Sequence, residues 1–260
     1  MYDDIRYEAS EGIAVITIDR PDVHNAFRPQ TIAELNAALR EADTDDGVYI
    51  LILTGSDGGF CAGADITTMP AWHEEMTKEE YAGYLWGVQN IVRQLMSIEK
   101  PLIAAIGGPA IGAGCDFALA CDLRVVGPDA FLREGFVRVG LIPGDGGAWL
   151  LPRLIGEAKA KEYLLTGRDI SAVDAVDLGL AIETVEDPVE GAHDLASELL
   201  GLPALAVRRT NKLIDHEYSF EDYCERAIEY QWECVNDPEH HEAISAFGDN
   251  RKPKYDRDYS

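Results

Sequence analysis

No apolar run in this 260-residue chain approaches the ~20 residues that a membrane span requires. The opening stretch, MYDDIRYEAS, lacks the basic and apolar regions of a signal peptide, so a cytoplasmic location is expected. Cations are scarce: 22 Lys and Arg stand against 47 Asp and Glu, a formal net charge of −25. That imbalance repels phosphates and excludes bulk-charge binding to nucleic acid. The acidity is spread along the chain in solvated clusters such as EADTDDG and ETVEDPVEG. A salt-rich cytoplasm that screens self-repulsion is one explanation, and a merely soluble acidic surface is the other. Five cysteines form no CxxC pair and no zinc spacing. His240 and His241 sit in an acidic, helix-like run without a ligand pattern, so neither a metal nor a redox cofactor is implied. The chain also has no GxGxxG, no phosphate-loop GK[ST] and no GxSxG elbow, which removes the usual marks of a dinucleotide, nucleotide or serine-hydrolase site.

What is present is an alternation of strand and helix signals. GIAVITIDR, GVYILILTG, PLIAAIGG and LRVVG read as buried strands. RPQTIAELNAALREAD and EEYAGYLWGVQNIVRQLMSI read as amphipathic helices, and AIGAGCDFALACD as a buried one. Strand-helix-strand repetition indicates an α/β fold with parallel crossovers. From about Gly156 the segments are mostly helix-like, with LAIETV as a strand between them. The expected division is 1–200 for the α/β core and 201–260 for a helical C-terminal region.

LILTGSDGGFCAGAD and LIAAIGGPAIGAGCD share the order strand, glycine turn, helix start. Each offers free backbone N–H groups at a helix N-terminus, and two aimed at one point would make an oxyanion hole. Tight turns alone would also use these glycines. Five motifs occur in order: RPDVHNAF, FCAGADI, GPAIGAGCDFALACDLRV, GLIPGDGGAWLLPRLIG and TGRDISAVDAVDLGL. Together they resemble the crotonase family, the enoyl-CoA hydratase/isomerase superfamily, over Tyr7 to about Tyr255.

The resemblance implies a spiral of ββα repeats with a helical C-terminal trimerisation region, assembled as a homotrimer or a hexamer of two trimers. It implies an acyl-CoA substrate, coenzyme A entering as part of the thioester. The N–H groups of Ala64 and Ala113 would receive the thioester carbonyl. Ala62 and Ile66 would lie along the CoA path, and Asp65 would fix the loop. Arg28, Lys252 and Lys254 are candidate partners for the CoA phosphates, or a basic tail that balances an acidic surface. Trp72, Tyr81 and Trp86 would pack in the core or close over the acyl group, core packing being the expectation.

A hydratase of this family uses two glutamates around one water. The first falls on Asp116, expected to be partly buried at its helix start, which makes it the leading acid/base candidate. The second falls on Phe136, which cannot move a proton. Glu134 shares a face with Phe136 if that segment is extended. Asp145 lies one residue from Gly144, where some relatives keep an aspartate, and capping the next helix is its expected job. Glu134 and Asp145 are therefore reserve acid/base candidates. The expected activity is enoyl-CoA hydratase chemistry through an enolate. The alternatives are isomerisation, thioester hydrolysis or decarboxylation, and non-catalytic acyl-CoA binding.

Overall fold

The computed structural model describes residues 2–65, 67, 76–214 and 219–259. In chain order these form β1 (Ile5–Ser10), β2 (Ile13–Ile18), α1 (Pro29–Thr44), β3 (Ile50–Gly55), α2 (Lys78–Ser97), β4 (Leu102–Ile106), β5 (Pro109–Ile111), α3 (Ala113–Ala120), β6 (Leu123–Val126) and β7 (Phe131–Arg133). A 3-10 helix follows over Gly135–Val139. Then come α4 (Gly147–Ile155), α5 (Glu157–Thr166), β8 (Ile170–Ser171), α6 (Ala172–Asp177), β9 (Glu183–Thr184) and α7 (Pro188–Leu200). The chain ends in α8 (Ala204–Leu213), α9 (Phe220–Val235) and α10 (Pro238–Gly248).

The larger sheet has the order β1-β2-β3-β4-β6-β9 and is parallel apart from the β1–β2 hairpin. Its central strands are apolar on both faces because both faces are covered, as parallel sheets require. Ile50 and Ile52 of β3 pack with Ala192 and Ala196 of α7, whereas Leu51 and Leu53 enter the main core with α1, α2 and α3. The hairpin strand β1 was not read from the sequence: IRYEAS exposes most of its side chains and carries no apolar run.

A second sheet, β5-β7-β8, is built from strands of two or three residues. The chain therefore repeats one unit: a strand in the large sheet, a short strand in the small sheet, then a helix. β4–β5–α3 is one such unit, and β6–β7 followed by the 3-10 helix and α4 is the next. A parallel bridge between Cys61 and Ala110 adds the turn after β3 to the same stack. Successive turns approach so closely that a Cβ on Gly114 would lie 2.2 Å from the carbonyl oxygen of Cys61. Gly114→Ala must push these turns apart, and we expect a loss of about 2–3 kcal/mol, read as a lower urea midpoint for unfolding. A midpoint equal to wild type would show that the contact yields freely.

Candidate active site

Three turns leave the small sheet side by side and carry the residues of interest. The Cys61 N–H donates to the Pro109 carbonyl at 3.1 Å, and the Ile111 N–H donates to the Cys61 carbonyl at 2.9 Å. Ala64 and Ala113 follow three residues after the bridged pair Cys61 and Ala110. Phe27 steadies the first turn: its N–H donates to the Gly63 carbonyl (2.8 Å), and its carbonyl accepts from Asp65 N–H (3.0 Å). This pattern skips the N–H of Ala64. Ala113 is the first residue of α3, where an N–H has no intrahelical acceptor. Among the described residues neither N–H has a protein acceptor. Alanine fits at 113 because the left-handed conformation falls on the preceding Gly112, φ 57°.

Ala64 and Ala113 line one cavity of about 390 Å³. Its wall is largely apolar, with Phe27, Leu85, Val88, Ile111, Phe136 and Leu141 contributing. The Phe136 ring stands over Gly112, next to the Ala113 donor. Among the described residues the acid in this wall is Asp145. Its loop is tied to α2 by the Gln89 side chain, which donates to the Gly144 carbonyl at 2.8 Å. Burial raises the Asp145 carboxyl to about 6. The expected capping role is not found: Gly146 occupies the cap of α4, and no side chain bonds there. Tyr81 and Tyr84 of α2 share the wall and face Asp145, whose charge adds to the burial that raises both phenols.

Asp116 and Glu134 lie behind this wall, not in it. Asp116 was expected to be partly buried, yet it is wholly enclosed, and Glu134 is 2% exposed. Parity with Phe136 does not place Glu134, since the chain turns into a 3-10 helix at Gly135 and is not extended. Glu134 is instead received by the start of α4, where a Cβ on Gly147 would sit 2.4 Å from its carboxyl atoms.

The remaining expected residues divide as follows. Ala62 lines the cavity. Asp65 accepts the Thr67 N–H (3.1 Å) and hydroxyl (2.6 Å), a local loop closure. Ile66 and Trp72 lie outside the described residues. Trp86 is not in the core: it is 59% exposed under the Arg93 guanidinium. Arg28 is held by both oxygens of Asp4, at 2.8 and 2.7 Å, with its side chain half exposed. Lys252 and Lys254 are exposed on the C-terminal tail.

Residues 8–258 match the family model described as Enoyl-CoA hydratase/isomerase. The chain is 32% identical to the short-chain-enoyl-CoA hydratase of Clostridium acetobutylicum, over 94% of each chain. It is also 32% identical to the crotonyl-CoA hydratase of Syntrophomonas wolfei, over 98% of each. The crystal structure of an enoyl-CoA hydratase from Bacillus anthracis superposes with a TM-score of 0.90 at 28% identity, covering 97% of this chain and 99% of that one. The chain belongs to the enoyl-CoA hydratase/isomerase family. It is accordingly an enzyme of the lyase or isomerase type with a crotonase-like fold, and an acyl-CoA substrate is consistent with that membership.

Of the three candidate acids, Asp145 lines the cavity, whereas Asp116, the leading candidate from the sequence, and Glu134 do not. The signal for Asp145 was the pair Gly146–Gly147 after it, which lets the backbone turn sharply enough to present an acid beside the cavity.

The Asp145 shift has a stability consequence. Its folded value of about 6 lies above the ordinary 3.8. The stabilising contribution is therefore complete below the ordinary value and is lost as pH rises through about 6. Asp145→Asn should be more stable than wild type by about 3 kcal/mol at pH 8, and the difference should vanish below the ordinary carboxyl value, at about pH 3. Urea unfolding at both pH values checks this; an advantage independent of pH would mean an unshifted carboxyl.

Proposed function

We propose that the cavity binds a 2-enoyl-CoA thioester and that the protein adds water across its double bond. The thioester carbonyl takes the N–H groups of Ala64 and Ala113, which stabilise the negative charge of the enolate. Asp145, ionised above about pH 6, accepts a proton from water as the hydroxide oxygen bonds to the β-carbon. The same carboxyl then returns that proton to the α-carbon. One water is consumed, and one carboxyl moves one proton. The observation that carries this reading is that two free N–H groups and one acid line the same apolar cavity. The hydratase names of the relatives at 32% identity support water addition in particular.

A second reading rests on Phe136. Its ring lines the cavity where a second glutamate would be expected, and it reduces the space for water. With water excluded, the same acid and the same two N–H groups would move a proton along the chain of a 3-enoyl-CoA, an isomerisation.

The exposed apolar residues Phe220, Ile228 and Trp232 of α9 and Phe247 of α10 support association of copies through residues 201–260, as a trimer or hexamer. A cytoplasmic location and, for Arg28, Lys252 and Lys254, contact with CoA phosphates remain part of the proposal. Among the described residues no helix is long and apolar enough to cross a membrane.

Two variants test the site. Asp145→Asn should lower kcat for crotonyl-CoA roughly 100- to 10,000-fold with little change in KM. Ala113→Pro removes one donor at a helix position that tolerates proline, and kcat should fall roughly 100- to 1,000-fold while the circular dichroism spectrum is kept. Product analysis with 2-butenoyl-CoA and 3-butenoyl-CoA separates hydration from isomerisation. Full turnover of both thioesters by both variants would remove the proposed site.

A further inference from the structure

The cavity wall carries two cations that water addition does not use. Arg133 and Arg138 line it together with the apolar side chains of Phe136, Val139, Leu141 and Ile142. Arg133 is balanced within the fold, because both oxygens of Asp169 accept from its guanidinium. Arg138 is not balanced in this way. Its side chain crosses the turn at Gly167, with Nε 3.3 Å from where a Cβ would stand. Its charge reaches Asp169, yet among the described residues its guanidinium makes no hydrogen bond or ion pair. Arg133, Asp169 and Arg138 together leave one net positive charge at the wall. The chain has only 22 Lys and Arg against 47 Asp and Glu, so a cation without an acceptor at a cavity is not explained by charge balance over the surface.

The small sheet sets the order of these groups. Ala64 belongs to the first turn of the ladder and Ala113 to the second. Arg133 pairs with Ile111 from the third turn, and its carbonyl accepts the Gly112 N–H at 2.8 Å. Each step across the ladder is about 4.8 Å. A carbonyl held between Ala64 and Ala113 therefore has the third turn to one side of it. Arg138 and Asp145 come from the one segment that follows this third turn, residues 135–145. The acid must face the α- and β-carbons, so the acyl side of the carbonyl, not the sulfur side, points toward this segment. Beyond those carbons lie apolar side chains and then the free guanidinium. A chain ending in a methyl group gives Arg138 nothing to bind. A chain ending in a carboxylate gives it a planar partner for two parallel N–H donors.

We propose that Arg138 is a specificity residue that binds a carboxylate at the far end of the acyl chain, so that the preferred substrate is the monothioester of a short unsaturated dicarboxylic acid. This rests on the reading that the cavity holds a 2-enoyl-CoA. It adds no chemical step: water still adds at the β-carbon, and the distal carboxylate stays ionised throughout. The shape of the wall supports a short chain, since an anion crossing a long apolar path would lose its hydration before meeting a cation.

Glutaconyl-CoA is crotonyl-CoA with a carboxylate on its terminal carbon, and the two thioesters form the test. Wild type should favour glutaconyl-CoA in kcat/KM by roughly 10- to 100-fold. The methyl ester of glutaconyl-CoA, which has no charge there, should lose that advantage on the unaltered protein. In Arg138→Gln the ratio of kcat/KM for the two thioesters should fall to about one, and in Arg138→Glu it should invert. Equal turnover of both thioesters by wild type overturns the proposal, as does a ratio that survives in Arg138→Gln. A loss of the same factor for both thioesters in Arg138→Gln also overturns it, because the guanidinium would then meet a phosphate common to both. Calorimetric binding of the saturated analogues glutaryl-CoA and butyryl-CoA reads the same preference without turnover. Full turnover by Asp145→Asn would defeat the functional reading, whereas the calorimetric preference would still decide the role of Arg138.

Discussion

Everything at this site depends on how closely successive turns of the chain stack at the small sheet. Cys61 bridges Ala110, Ala110 pairs with Leu132, and Leu132 pairs with Ile170, so four turns are joined in one ladder. Glycine is required where backbones touch: a Cβ on Gly63 would lie 2.7 Å from the Ile111 carbonyl oxygen, and one on Gly114 would lie 2.2 Å from that of Cys61. Because the ladder is made of backbone bonds, the separation of Ala64 from Ala113 is fixed before any ligand arrives. Donors held in this way need no reorganisation when negative charge develops on an oxygen between them.

The sequence conveyed the large sheet and its helices well, since strands buried on both faces must be apolar throughout and the amphipathic helices carry a 3.6-residue period. It conveyed the small sheet poorly. Strands of two or three residues, such as Ile170–Ser171, are too short to show any alternation. The ordered motifs pointed to the two alanine donors because a backbone N–H depends on chain path, which the glycines restrict. The acids were harder to read. A carboxyl's position depends on the rotation of one side chain, and a single-residue offset on a helix turns it by about 100°. Asp145 and Glu134 both lie at such changes of path, one before α4 and the other before the 3-10 helix.

The acidic composition and the acids of the site obey different physics. Most of the 47 carboxylates are solvated and screened by salt. Asp116, Glu134 and Asp145 are withdrawn from water, where burial is the leading cause that raises each of them. An apolar wall around Asp145 therefore brings the carboxyl to about 6, where proton gain and loss are both accessible near neutrality.

The cavity wall includes Arg133 and Arg138, but the C-terminal tail shows why Lys252 and Lys254 cannot simply be added to it. Tyr259 packs on Gly12 and Tyr49, and Arg257 lies over Tyr49 and Tyr255 and donates to Glu239 and to the carbonyls of Leu200 and Leu202. Gly12 and Tyr49 precede β2 and β3, at the N-terminal ends of these parallel strands. The turn carrying Ala64 leaves β3 at its other end, a strand length of roughly 20 Å away. Lys254, held to α10 through its backbone N–H on Glu242, belongs to a tail anchored at the far edge from the site.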